Sequence, residues 1–189
     1  GEDAYLGAVM AAARTRGYRR GGLAVAVKHF VGYGAAEAGR DYNDAPIPTS
    51  QLFDRHLPPF KAAIDAGAET VMAAFNTVNG SPASADRRLL TDILRRRLGF
   101  SGLVTSDFDA IGNLMNHGVA SDTAQATRRA ILAGMDMDMV GGHFSRHLEA
   151  ELKAGGVPQA AIDDAVRRIL RVKFAMGLFD RPADAPPPP

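Results

Sequence analysis

The chain has 189 residues, a formal net charge of +1 and no cysteine. Balanced charge gives no pull toward nucleic acid or a membrane surface, and the lack of thiols excludes disulfides, cysteine nucleophiles and thiolate metal sites. No apolar run reaches the ~18 residues that a bilayer crossing needs, yet the apolar content suits a real core. Arg outnumbers Lys eighteen to four, and Arg95, Arg96 and Arg97 stand in a row. With acids in balance, that run reads as a solvated helix face rather than a nucleic-acid patch. The chain opens on Gly1-Glu2-Asp3-Ala4-Tyr5 without an initiator Met, so a leader upstream is compatible with it. A bacterial periplasmic or secreted place is the expectation over a cytoplasmic one.

In chain order the pattern reads as a helix, then strand–helix repeated at a spacing of roughly 30–45 residues. Short β-rich runs cover Leu23–Phe30, Thr70–Phe75, Gly102–Phe108 and Asp136–Val140. The first three are nearly unbroken in hydrophobicity, as strands covered on both faces are. Between them, Phe53, Leu57, Phe60 and Ile64 fall at helical spacing, with Thr49 or Ser50 as cap and a kink at Pro58 and Pro59. Leu89, Leu90, Ile93, Leu94 and Leu98 form the next apolar face, ended by Gly99. Ser121 and Asp122 start a further helix that ends at Gly134, and Phe144, Leu148 and Leu152 space another that ends at Gly155. Pro158 reads as the first residue of a last helix carrying Ile162, Val166, Ile169 and Leu170. Met137 and Met139 read as core. The result is α/β architecture with about four parallel strands and outer helices, half of the eight that a closed (β/α)₈ barrel needs. Residues 1–180 form that unit, and residues 181–189 form a proline-rich tail or linker.

In parallel βα proteins functional groups gather where strands end. Polar residues cluster at three such points: Lys28-His29-Phe30 with Val31-Gly32-Tyr33-Gly34, Phe75-Asn76 with Thr77-Val78-Asn79-Gly80, and Thr105-Ser106-Asp107-Phe108-Asp109. A carboxylate at the mouth of a buried strand, near a Lys and a His, is the kind of group a retaining glycosidase uses as nucleophile. On the residues alone, Asp107 is equally a helix cap or loop acceptor, His29 a structural histidine and Met72 core packing.

The stretch Lys28–Gly34 resembles the motif around the substrate-binding Lys-His pair of family 3 glycoside hydrolases. Val71–Asn76 with Asn79–Ala83 is similar to that family's following strand and loop. Gly99–Asp107 resembles the stretch carrying the nucleophile, and Ala133–Met139 and Val172–Asp180 resemble the last strand and closing helix of the barrel. Gly1–Gly7 is similar to the tail of a Ser-Glu-Asp-Pro-Tyr-Leu-Gly segment. The resemblance spans nearly the whole chain before the prolines and implies the C-terminal half of a (β/α)₈ barrel of β-glucosidase type.

It further implies that Asp107 is the catalytic nucleophile and that Lys28, His29, Met72, Phe75 and Phe108 contact the substrate, Phe108 standing where an aromatic stacks on the leaving-group side. The implied substrate is a β-linked oligosaccharide or an aryl or alkyl glucoside, or a xyloside, hydrolysed with retention. No cofactor, metal, nucleic acid or membrane partner is implied. For Lys28 and His29, neighbours on a strand, to reach one sugar, the backbone over 28–31 must leave regular strand geometry. Two departures stand out. Phe75 replaces a Tyr whose hydroxyl reaches the nucleophile in the family. The upstream Asp and Arg that bind sugar, and the acid/base from a later α/β sandwich domain, have no match here, so an N-terminal barrel half and that domain are expected as missing partners. Two alternatives stay open. One is the β-N-acetylhexosaminidase branch, although Val31 and Tyr33 replace its Pro and His and Arg40-Asp41-Tyr42-Asn43 replaces its Asp-Ser-His. The other is a non-catalytic barrel half completed by a partner chain.

Overall fold

The computed structural model describes residues 2–180, so the proline-rich tail lies outside the described residues. At its centre β1 (Ala26–Phe30), β3 (Thr70–Ala73) and β6 (Leu103–Thr105) form a parallel sheet in the order β1-β3-β6. Val71 in β3 pairs with Val27 on one side and Val104 on the other. β6 is buried along its length and β3 beyond its first residue, which explains their unbroken apolar sequence. β1 instead alternates exposed and partly buried positions before Phe30, because its outer edge is unpaired among the described residues.

The expected fourth strand is reduced to a single bridge, Thr105 to Met137. Backbone bonds from Met137 N to Val104 O and from Ser106 N to Met137 O flank it, and side chains add to them: the Ser106 hydroxyl accepts from Met139 N at 2.8 Å, and Asp136 occupies Val104 N at 2.8 Å. Met137 and Met139 are only half-buried, and the core methionine is Met135. The expected first strand is also longer than the observed one, since Leu23 is exposed and the ladder begins at Ala26.

Helices cover the sheet. α1 (Ala4–Arg20) packs on α3 (Leu57–Asp65). The short α2 (Thr49–Gln51) and a wide π-helical turn (Leu52–His56) lead into α3. Thr49 therefore lies inside the first turn and Pro48 takes the cap position, with no side-chain cap. Pro58 and Pro59 sit in the opening turn of α3, where an absent N–H costs little. A second π-helical stretch covers Arg88–Arg97. Asp122 caps α4 (Thr123–Ala133) through Gln125 N, and Gly134 closes it in the left-handed conformation. α5 (His143–Lys153) follows, then α6 (Gln159–Ala175), with Pro158 one residue earlier than expected, at its cap. Phe30, Leu52, Leu89, Leu90, Leu94, Ile111 and Leu114 fill the space between sheet and helices, each contributing about 1.5–3 kcal/mol by leaving water.

A second small sheet joins β2 (Asp44–Ala45), β4 (Thr77–Val78) and β5 (Ser81–Pro82). It ties the loop after β1 to the loop after β3. Asn79 strengthens the tie by accepting from Ile47 N at 2.9 Å and donating to Ile47 O at 2.8 Å. Gly32, at φ +82°, packs so closely that a Cβ there would stand 2.6 Å from Ile47 Cδ1.

Arg95 departs from the solvated face expected of its run. Its guanidinium donates to Asp136 Oδ2 at 2.6 Å and to the carbonyls of Gly102 and Gly134, while Arg168 donates to Asp136 Oδ1 at 2.8 Å. Arg96 stays outside with Asp92, and Arg97 lies 3.9 Å over the Phe53 ring. Burial pushes the Asp136 carboxyl up and the Arg95 guanidinium down, and their mutual attraction opposes both. Removing one member of such a cluster leaves a charge buried and unpaired. Asp136→Ala is expected to destabilise the fold by about 3–5 kcal/mol, against less than about 0.5 kcal/mol for Arg96→Ala. Urea unfolding would decide it, and equal midpoints for the two variants would reduce Asp136 to the standing of a surface residue.

Candidate active site

Asp107 follows directly from the end of β6, and the turn that carries it is fixed by its neighbours. Ser106 is fully buried: its N–H donates to Met137 O at 2.9 Å and its hydroxyl donates to Asp107 O at 2.9 Å. Asp109 N donates to Met139 O at 3.0 Å, and Ala110 N to Asp107 O at 3.2 Å. Asp107 itself is 8% exposed. One carboxylate oxygen, Oδ1, accepts from Phe108 N at 2.7 Å. The other, Oδ2, is buried without a hydrogen-bond partner among the described residues. His29 Nε2 stands 3.2 Å from it, near enough for attraction but outside hydrogen-bond alignment. A buried acceptor left open in this way calls for an explanation in the chemistry of the site.

His29 comes from β1, where the backbone leaves regular strand geometry. The Lys28–His29 and Phe30–Val31 peptides are cis, and the pairing with β3 shifts register between Val27 and Phe30. Burial pushes the His29 imidazole below its ordinary range and adjacent Lys28 adds to this, while Asp107 and Asp41 oppose it. The shift favours the uncharged ring. Tyr33 stacks on it, centroids 4.7 Å apart, and donates its hydroxyl to Asp41. Burial and that hydrogen bond push the Tyr33 hydroxyl up to about 12.

The remaining expected residues divide. Phe75 lies between Tyr33 and Tyr42, at 6.5 and 4.9 Å between centroids, and its carbonyl accepts from His117 Nε2 at 3.2 Å. Met72 is buried in β3, paired with Thr105. Phe108 projects from the mouth of the sheet, 60% exposed. Lys28 is exposed and forms no ion pair among the described residues. The structure thus joins Asp107 to His29 and surrounds them with Tyr33, Asp41, Phe75, Tyr42 and His117. The Tyr33–Asp41 bond and the His117 contact lie between loops and leave no periodic trace in the sequence. A further pair, Asp109 with His143, also escaped the sequence reading; its Nε2 to Oδ1 separation is 2.7 Å. Among the described residues no three His, Asp or Glu side chains converge as a metal site requires.

Comparison with known proteins identifies the family of the chain. Residues 1–172 match the profile of the glycosyl hydrolase family 3 N terminal domain. The periplasmic beta-glucosidase of Salmonella typhimurium is 42% identical over 96% of this chain and 25% of its own length. The exo-1,4-beta-xylosidase of Aspergillus niger is 39% identical over 84% of this chain and 20% of its own. The crystal structure of a beta-glucosidase from Listeria innocua in complex with isofagomine superposes with a TM-score of 0.93 at 37% identity, covering 96% of this chain and 27% of that one. The chain spans about a quarter of the length of these relatives. With the profile matched over most of its length and the sheet superposing on a solved barrel of the same kind, the chain belongs to glycosyl hydrolase family 3, in the N-terminal, barrel-forming domain of that family.

Proposed function

We propose that the protein carrying this chain hydrolyses terminal non-reducing β-D-glucosides or β-D-xylosides with retention, and that Asp107 is the nucleophile. The observation that carries the reading is the open carboxylate oxygen of Asp107 at the end of β6, beside the His29 ring. In the first step an Asp107 oxygen forms a bond to the anomeric carbon while the bond from that carbon to the leaving oxygen breaks. An acid group protonates the leaving oxygen, and water then releases the sugar from the glycosyl-enzyme. His29 and Lys28 donate hydrogen bonds to sugar hydroxyls, bonds that strengthen as the oxocarbenium-like state develops. Phe108 stacks on the leaving-group side, and Phe75 and Met72 line the sugar site. The acid group comes from outside this chain.

Residues 1–180 serve, in this reading, as the C-terminal half of the barrel, and residues 181–189 lead onward as a linker. Support comes from the unpaired edge of β1 and from exposed apolar residues on two outer helices, Tyr5, Leu6, Val9 and Met10 on α1 and Val166, Leu170 and Phe174 on α6. Further barrel elements cover these faces, and a later domain completes the site. The Salmonella relative supports a periplasmic or secreted place. No helix of the described residues is long and apolar enough to cross a membrane. Against the N-acetylhexosaminidase alternative, Asp41 accepts from Tyr33 and forms no Asp–His dyad.

A 2-deoxy-2-fluoro glucoside with a good leaving group is expected to label Asp107 covalently in the complete protein, as peptide mass mapping would locate. A label on Glu37, Asp41 or Asp109 would sink the assignment. Asp107→Asn should lower kcat by several orders of magnitude while leaving the melting curve in place. The complete protein should also cleave p-nitrophenyl β-glucoside or β-xyloside far faster than the N-acetylglucosaminide, and the reverse order would overturn the branch assignment. The 189-residue chain alone should be inactive and self-associating, because leaving a few of those apolar side chains in water costs several kcal/mol. Light scattering and an assay beside the complete protein test this: a monomeric chain with undiminished turnover would contradict it.

A further inference from the structure

Beyond the residues that face the sugar, we infer that His143 is a positioning residue for the nucleophile, acting through Asp109. The inference rests on the glycosidase reading above. Asp109 lies two residues after Asp107, in the same turn, with a positive φ of 49°. Asp adopts that backbone conformation more readily than most residues with a side chain, and contacts from its surroundings then hold it there. Here those contacts are visible. Asp109 N donates to Met139 O at 3.0 Å, Asn113 donates from both its backbone and its side chain to Asp109 O, and His143 Nε2 reaches Asp109 Oδ1 at 2.7 Å.

The direction of the last bond follows from its neighbour. Arg146, one turn along α5, places Nη2 3.2 Å from His143 Nδ1 and donates the same group to Gly141 O at 2.5 Å. A guanidinium has only donors to offer. Nδ1 must therefore present its lone pair, which puts the proton on Nε2, pointing at Asp109. One tautomer satisfies both ring nitrogens, and the ring can neither flip nor turn without losing both bonds.

His143 is itself anchored. It is 6% exposed and opens α5, with its backbone N–H bonded to Asp138 Oδ2 at 2.5 Å. Two glycines make room for the pair. A Cβ on Gly112 would stand 2.7 Å from Asp109 Oδ1, and one on Gly141 would stand 2.5 Å from His143 Cδ2. The side-chain link thus runs from the start of a packed helix to the turn bearing the nucleophile, through a space that a side chain on either glycine would fill. Asp109 remains half-exposed, with a side-chain accessibility of 45%, so solvent would compete for it if His143 let go.

The test uses the complete protein, with His143→Ala, His143→Gln, Asp109→Ala and the double alanine variant. A misplaced nucleophile slows attack, so kcat on an aryl β-glucoside should fall on the order of 10- to 100-fold with KM changing by less than about 3-fold. Labelling by the 2-fluoro glucoside, which needs only that attack, should slow by the same factor. Asp109→Ala should match His143→Ala, the double variant should lose no more than either alone, and His143→Gln, whose amide can still donate to Asp109, should recover most of the rate. Wild-type kcat in His143→Ala would overturn the inference, as would additive losses with no recovery by Gln. If His143→Ala fails to fold, Asp109→Ala cuts the same link from its exposed side and decides alone. A wild-type protein that cleaves no β-glycoside would instead defeat the reading on which the inference rests.

Discussion

A single buried carboxylate, Asp136, holds together the parts on which the site depends. It receives Arg95 from the helix over Arg88–Arg97, Arg168 from α6 and the backbone N–H of Val104 in β6. Three elements distant in sequence meet at one side chain that is 1% exposed. Such a cluster adds little net energy over an apolar packing of the same volume, but it tolerates no partial version. What it supplies is definition: β6 has one height relative to the helices behind it. Asp107 inherits that height three residues further on.

From there the structure spends its hydrogen bonds on the turn rather than on a fourth full strand. Ser106 replaces ladder contacts with its hydroxyl, which donates and accepts at once. The result is a short, irregular neighbour to β6 that carries Asp138, Gly141 and His143 close to the Asp107 turn. The opposite wall is built the same way, with the small sheet of β2, β4 and β5 locking the Tyr33–Asn43 loop over the His29 ring. Burial there disfavours the charged form of His29, which faces Asp107.

The sequence made some of this legible and hid the rest for physical reasons. β3 and β6 are covered on both faces, so Val71 and Val104 stand in apolar runs that announce a parallel sheet. α4 is equally plain, since Asp122 caps it and Gly134 takes the left-handed turn that only glycine adopts freely. The strand-end positions of His29 and Asp107 follow from the same logic. The reading fails where a side chain does the work of a backbone or crosses between loops. Asp136–Val140 has the composition of a strand, yet it keeps one bridge to β6, and the Asp136 and Ser106 side chains take part of the bonding around it. Arg95 shares its surroundings in sequence with Arg96 and Arg97, and only the fold turns it inward. Asp109 and His143 lie 34 residues apart, a separation that no helical or strand period connects.

The open edge of β1 carries a consequence of a different kind. Along that edge lie peptide groups facing outward, and beside it α1 exposes Tyr5, Leu6, Val9 and Met10. A boundary made of ladder bonds and apolar contact needs complementary surfaces, but it does not need a continuous backbone. A separate polypeptide with a matching strand and apolar face meets those requirements as well as a covalently joined one. On the half-barrel reading proposed above, that edge is a seam, and a split-enzyme pair divided there would regain activity only where both pieces are present together.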